Sequence, residues 1–280
     1  MISIEQVKAL IRNKAKALNV NPNIVLRTVI FEFFLEKLAK SKYKDRFIIK
    51  GGFLVSAITK INLRTTMDLD VTLKVLSIQK KDLITYIEEI ITIPTHEKLR
   101  MELLSIDEIH DDADYPGLRA SLFVYFDGLK ESIKIDFTTG DVLSPSETSF
   151  KYKTVLYDSA IELMTYNMET VLAEKMETIL SRGVLNTRMR DFYDVHILWK
   201  LKMNEINKIV LKNAFINTSK YRKTYNRIFP DYQIIMSAVE QDSTLNKLWE
   251  RYQSSYPFAR DVSWPDAIHS NKSILEEITG

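Results

Sequence analysis

Apolar positions give the first outline of the chain. Ile4, Val7, Leu10, Ile11 and Leu18 recur at helical spacing behind a capping-box pair, Ser3 and Gln6. This predicts a helix ending near Asn19. Asn21-Pro22 reads as a new start, with Asn21 as N-cap and Pro22 in the first helical position. Ile24, Val25, Val29, Phe33, Phe34 and Leu38 line a second helix to about Ala39. Its aromatics, Phe31, Phe33 and Phe34, are assigned to the core, where such side chains usually lie. The short run Phe47-Ile48-Ile49 predicts a strand, Phe53 to Ile61 returns to helical spacing, and 79–91 gives a further helix. The period then falls to two in Leu99–Ile109, Arg119–Phe126 and Ser132–Phe137, with Asp127-Gly128 as a hairpin turn between the last two. Ser144-Pro145-Ser146 reads as a loop. After Asp158 the pattern reads as helical throughout. Asn167 caps Met168–Arg182, and 204–279 reads as three or four helices, with breaks near Thr218–Lys220, Pro230, Ser254–Pro257 and Trp264-Pro265. The fold class is therefore α+β. A mixed sheet with flanking helices is expected in 1–158, and a helical bundle closing the cleft beside it in 159–280.

Composition narrows the chemistry. The chain has 280 residues, enough for one large domain or two small ones, with 45% apolar and 27% charged residues. It has no cysteine, which removes a disulfide framework, a thiolate zinc site and a cysteine nucleophile, and fits a reducing cytoplasm. Lys8, Arg12, Lys14 and Lys16 interrupt the first helix, so neither a signal peptide nor a membrane span is expected. His96, His110 and His269 have no ligand spacing, and His196 reads as a packed helix residue. The net charge of +2 conceals an asymmetry. Residues 182–227 are strongly basic, from Arg182, Arg188 and Arg190 to Arg222, Lys223 and Arg227, against Asp191, Asp194 and Glu205. Residues 102–114 are acidic. Basic stretches on both sides of acidic strands suit a polyanionic substrate. Lys220 to Arg227 interleaves cations with Tyr221 and Tyr225; it reads equally as a nucleic-acid grip or as an ordinary helix start.

The stretch 48–73 carries the sharpest chemistry. In Asp68-Leu69-Asp70-Val71 the two acids alternate with apolar residues, so both project from one strand face while Leu69 and Val71 point to the core. Like charges this close are costly without a cation, which makes a divalent metal the natural reading. Gly51-Gly52, between the strand and the next helix, lets backbone approach a phosphate at a helix N-terminus.

Lys50-Gly51-Gly52 and Arg64-Thr65-Thr66-Met67-Asp68-Leu69-Asp70, with Ala173-Glu174-Lys175 and Thr187–Asp194 further on, resemble the nucleotidyltransferase superfamily that includes DNA polymerase beta. More closely, they resemble the AbiEii abortive-infection toxins, the nucleotidyltransferase halves of type IV toxin–antitoxin pairs. The resemblance implies Mg2+ on Asp68 and Asp70, with Asp136 as third carboxylate or base. It implies that Lys175, with the Gly51-Gly52 backbone, holds the triphosphate. Lys50 and Arg64 would neutralise developing charge, Thr66 would orient Asp68, and Asp191, ahead of Asp194, would support the site. The implied reaction moves a nucleoside monophosphate from an NTP, with GTP or CTP favoured, to an RNA, a tRNA 3′ end above all. That would halt translation and growth in a phage abortive-infection response, with a cognate antitoxin encoded nearby; whether the antitoxin binds directly is open. Two rivals remain: a passive nucleotide- or RNA-binding module on this fold, and a metal-dependent phosphohydrolase or nuclease.

Overall fold

The computed structural model describes residues 4–60, 68–96, 98–109, 117–157 and 159–279. Two compact units divide the chain: 1–141 with 147–165, and 142–146 with 166–280.

The first unit opens with α1 (Ile4–Leu18) and α2 (Pro22–Ala39). The Asn23 amide donates to Asn21 Oδ1 at 2.9 Å, so the expected cap satisfies one of the amides orphaned at the start of α2. Strand β1 (Phe47–Lys50) runs straight into α3 (Gly51–Thr59), and β2 (Leu69–Leu73) leads to α4 (Lys80–Ile91). Then come β3 (Leu99–Ile109), β4 (Gly117–Phe126), β5 (Leu129–Thr139), β6 (Thr148–Lys153) and β7 (Ala160–Thr165). All seven form one mixed sheet in the order β3-β4-β5-β2-β1-β7-β6. The β2–β5 and β1–β7 pairs are parallel; the others are antiparallel. At the β4–β5 hairpin both Asp127 and Gly128 have positive φ, 46° and 88°, the two-residue turn that Asp-Gly favours.

One face of the sheet carries the core. Phe33 of α2 packs on Phe126 at 5.1 Å between ring centroids, and Phe47 on Phe137 at 5.6 Å. Phe31, Phe33 and Phe34 are all 2% exposed or less, in keeping with the core role assigned to them. The outer face of β3–β5 stays open: Arg100, Lys130 and Lys134 are exposed, and Arg119, Phe123, Tyr125 and Asp136 half-buried.

Strands β6 and β7 depart from expectation. Residues 160–165 read as the beginning of the helical region, yet Ile161, Leu163 and Thr165 are buried in alternation with exposed or half-buried neighbours. Six residues with only two branched apolar side chains, Ile161 and Leu163, give too short a period-two signal to register. Strand β6 buries only Tyr152, as an edge strand can.

The second unit is helical: α5 (Met168–Arg182), α6 (Met189–Lys202), α7 (Lys208–Tyr221), a single turn α8 (Tyr225–Ile228), α9 (Tyr232–Gln241), α10 (Ser243–Ser255) and α11 (Trp264–Thr279). Its last part therefore divides once more than the pattern suggested, because Asp242 caps α10, accepting from the Thr244 and Leu245 amides at 2.8 Å each. Asn167 caps α5 as expected, accepting from the Thr170 amide at 2.7 Å. The Asn167 side-chain amide also donates to the Ser144 carbonyl at 2.8 Å, which ties segment 142–146 to this unit. No described helix is long and apolar enough to cross a membrane.

Candidate active site

Strand register assembles the first part of the site. Arg119 of β4 lies opposite Asp136 of β5, Asp136 opposite Asp70 of β2, and Asp70 opposite Lys50 of β1. Residues directly opposite share a sheet face, so these four form one charged row across four strands: cation, acid, acid, cation. Asp68, two residues before Asp70, adds a third acid beside it.

The acids are not left bare. Arg119 grips Asp136 in a fork, Nε to Oδ1 and Nη2 to Oδ2 at 2.7 Å each. Such bidentate, charge-assisted pairs are the strong ones. The same Nη2 stands 3.6 Å from Asp68 Oδ2, so one guanidinium links two acids that sequence reasoning gave to a metal. Arg119 opens an ordinary alternating strand, and only its register against Asp136 reveals it.

Asp70 lies against the glycine turn. An ideal Cβ on Gly51 would fall 1.9 Å from Asp70 Oδ2 and 2.8 Å from its Cβ, and Gly51 has φ +67°. Glycine is required twice here, for backbone conformation and for the space Asp70 occupies. Asp70 thus reaches the N-terminal end of α3, where a carboxylate is favoured by the helix dipole.

Lys50 also has partners beyond this row. Its Nζ donates to Asp141 Oδ2 at 2.6 Å and to Thr138 Oγ1 at 2.8 Å. Thr138 also donates to Asp141 at 2.6 Å, and Thr72 bonds it as well. Burial alone would raise the Asp141 carboxyl, but the Lys50 ammonium and the two hydroxyls outweigh it and hold the group well below the usual carboxylate range. Asp141 read as a turn residue; its place beside Lys50 follows from β5 extending to Thr139.

Arg64 and Thr66 lie outside the described residues. Among the described residues, no group of three or more His, Cys, Asp or Glu side chains is disposed to hold a metal ion. Asp68 and Asp70 still fit Mg2+ by donor chemistry. It takes hard oxygen ligands, needs only one or two protein carboxylates when phosphates complete its shell, and here meets one acid already set in the Gly51 cradle.

The second unit holds the other expected residues. Lys175 of α5 reaches Asp191 Oδ1 at 2.9 Å and Asp194 Oδ2 at 2.6 Å, both on α6. The i, i+3 spacing aims both acids at one ammonium. All three are deeply set, with Asp194 fully buried. Arg222, from the cation–tyrosine segment, turns inward. Its Nη1 donates to Glu177 at 2.6 Å and Nη2 to Glu174 at 3.3 Å, while Tyr225 stacks on Phe229 at 4.8 Å. His196 packs as expected: Nδ1 lies 2.9 Å from Ser270 Oγ, and burial lowers its pKa.

The fold and its row of sheet acids define a class first: an α+β protein of nucleotidyltransferase type. The family model of the nucleotidyl transferase AbiEii toxin, type IV toxin–antitoxin system, matches residues 34–270, and the chain belongs to this family. Membership brings a nucleotide substrate and a cognate antitoxin. Among solved structures, MenT4, a nucleotidyltransferase toxin from Mycobacterium tuberculosis H37Rv, is similar over 98% of this chain and 99% of its own, with 13% identity and a TM-score of 0.55. JHP933 from Helicobacter pylori is similar over 91% of this chain and 93% of its own, with 17% identity and a TM-score of 0.48. The likeness to MenT4 establishes the fold alone; the lower score of JHP933 adds nothing to it. No curated protein matches the chain.

Proposed function

We propose that this toxin transfers a nucleoside monophosphate from an NTP to the 3′ hydroxyl of an RNA, the tRNA end foremost, and so blocks translation in the cytoplasm as an antiviral, abortive-infection response. The observation that carries this reading is the charged row Arg119–Asp136–Asp70–Lys50, with Asp68 beside it, in a chain of the AbiEii family.

The hydroxyl oxygen forms a bond to the α-phosphorus, the bond from that phosphorus to the bridging oxygen of the β-phosphate breaks, and pyrophosphate leaves. The hydroxyl proton passes to Asp136, the acid that becomes free when Arg119 releases its fork. Asp68 and Asp70 would hold Mg2+, which when bound supplies Lewis-acid stabilisation of the phosphate charge. Arg119, whose Nη2 stands 3.6 Å from Asp68 Oδ2, would neutralise phosphate oxygens beside these acids. The Gly51 and Gly52 amides, Lys175 and Arg64 are assigned to the triphosphate, and Thr66 to the orientation of Asp68. Lys50 acts through Asp141, fixing the end of β5 that bears Asp136. Asp191 and Asp194 position Lys175.

A metal-dependent nuclease could use the same acids, and a passive binding module none of them. Incubation with each labelled NTP in turn, Mg2+ and total tRNA separates the three. Label retained on full-length RNA is the expected result. Shortened RNA would point to a nuclease, and intact unlabelled RNA with bound nucleotide to the passive module.

A further inference from the structure

The open face of β3–β5 continues from the charged row, and its composition is unusual for a solvated sheet. Moving along β4 from Arg119, the same face presents Ser121, Phe123 and Tyr125, and β5 presents Lys134, Ser132 and Lys130 opposite them. Phe123 and Tyr125 lie 6.1 Å apart between ring centroids, edge to face. Lys130 Nζ stands 3.7 Å from the centre of the Phe123 ring and 5.4 Å from that of Tyr125. Arg100 of β3, opposite Tyr125, lies 4.1 Å from the centre of that ring. Among the described residues, β3 brings two acids to this face: Glu102, which accepts from the Tyr125 hydroxyl at 3.1 Å and stands 3.6 Å from Arg100, and Asp107, opposite Arg119.

We propose that Phe123 and Tyr125, with Arg100, Lys130 and Lys134, form a platform that binds the single-stranded end of an RNA and leads it to the acids of the same sheet face. The inference rests on the RNA-acceptor reading above. Two aromatic rings on an open sheet, ringed by cations, are what a flexible polyanion with stackable bases requires. Cation–π contact keeps the rings and cations together before the ligand arrives. A base stacking on Phe123 displaces Lys130 toward the adjoining phosphate, so the same side chains serve the free and bound states. Shared register makes the direction definite: Phe123 and Asp136 lie on one face, and the strand end that passes the rings arrives at Arg119 and Asp136.

The test is fluorescence anisotropy of the full chain with a labelled, short, single-stranded oligoribonucleotide, read beside transfer to the same RNA. Lys130→Ala/Lys134→Ala changes exposed side chains only and should weaken binding about tenfold. The salt dependence should also be shallower, by a slope of about 0.7 per cation removed. Phe123→Ala/Tyr125→Ala should weaken binding by about tenfold or more, Tyr125→Phe should restore most of the loss, and unfolding curves check that each variant folds. The proposal is overturned if the wild type does not bind the RNA, or if the lysine and aromatic variants bind it equally well. It is also overturned if these variants abolish self-association in sedimentation while RNA binding persists, which would make the face a contact between copies. Wild-type transfer with an unchanged KM for RNA in the lysine variant would remove the platform and leave the transferase intact. Binding lost in the variants, with no transfer by the wild type, would keep the platform and refute the transferase.

Discussion

Replacing Gly51 with alanine tests the geometry of the site most sharply. The new Cβ would fall 1.9 Å from Asp70 Oδ2 and 2.6 Å from its Cγ, and Asp70 is a short side chain fixed on the neighbouring strand. The backbone at φ +67° adds about 1–2 kcal/mol for a residue with a Cβ. Overpacking adds about 1–3 kcal/mol, giving a loss of about 2–5 kcal/mol if Asp70 holds its place. If Asp70 yields instead, stability falls less but the carboxylate moves. Displacement by about 1 Å costs about 10²-fold in rate. Gly128→Ala is the matched control. Its φ is +88° and nothing lies within 4 Å of the added Cβ, so it carries the backbone cost without the clash. Urea unfolding of both variants and transfer assays on their folded forms read the two effects separately. Gly51→Ala should lose more stability than Gly128→Ala, or about 10²-fold in transfer, or both. A Gly51→Ala protein as stable as Gly128→Ala and as active as the wild type would refute the placement of Asp70 against this turn.

Other perturbations follow from the same structure. Arg119→Gln removes the cation that competes for Asp68 and Asp136, so half-maximal transfer should need less Mg2+; an unchanged or higher requirement contradicts the competition. Lys175→Met leaves the fully buried Asp194 without its ammonium and should cost about 3 kcal/mol in urea unfolding while raising the KM for NTP. Unaltered stability and NTP dependence would remove Lys175 from both roles. Glu32 gives a pH signature: burial pushes its carboxyl up to about 7, against hydrogen bonds from the Tyr152 hydroxyl and the Val155 amide. The native state therefore binds the extra proton between its ordinary value of 4.5 and about 7, and stability falls as pH rises through that window. Glu32→Gln keeps an acceptor for both donors and should be more stable than the wild type at pH ~8 by about 2–3 kcal/mol, with little difference at pH ~4. A wild-type protein with a flat profile over this range would contradict the buried acid.

Local signals were readable where the chemistry is local. Asn21, Asn167 and Asp127-Gly128 announced two caps and a hairpin because each needs only neighbours in sequence. Lys50-Gly51-Gly52 and Asp68-Leu69-Asp70 identified the family because motif and context agree over a short stretch. Partners across strands were hidden. Arg119 meets Asp136 only through hairpin register, and Asp141 meets Lys50 only because β5 runs beside β2, which in turn lies beside β1. Lys175 stands next to Glu174 in sequence, but its partners come from the following helix. Arg222 read equally as part of a nucleic-acid grip or of an ordinary helix start; the carboxylate of Glu177, buried on α5, claims it. The strand β7 was lost because six residues of mild alternation resemble one turn and a half of helix.

On the proposed function, the sheet acids carry out nucleotidyl transfer. Asp70→Asn tests it most directly: the substitution keeps the shape beside Gly51 and removes one charge. Single-turnover transfer of labelled nucleotide to tRNA should fall by at least about 10³-fold, on the scale of losing a key electrostatic contact to the reacting phosphates, while unfolding matches the wild type. Transfer at the wild-type rate by folded Asp70→Asn would contradict the account.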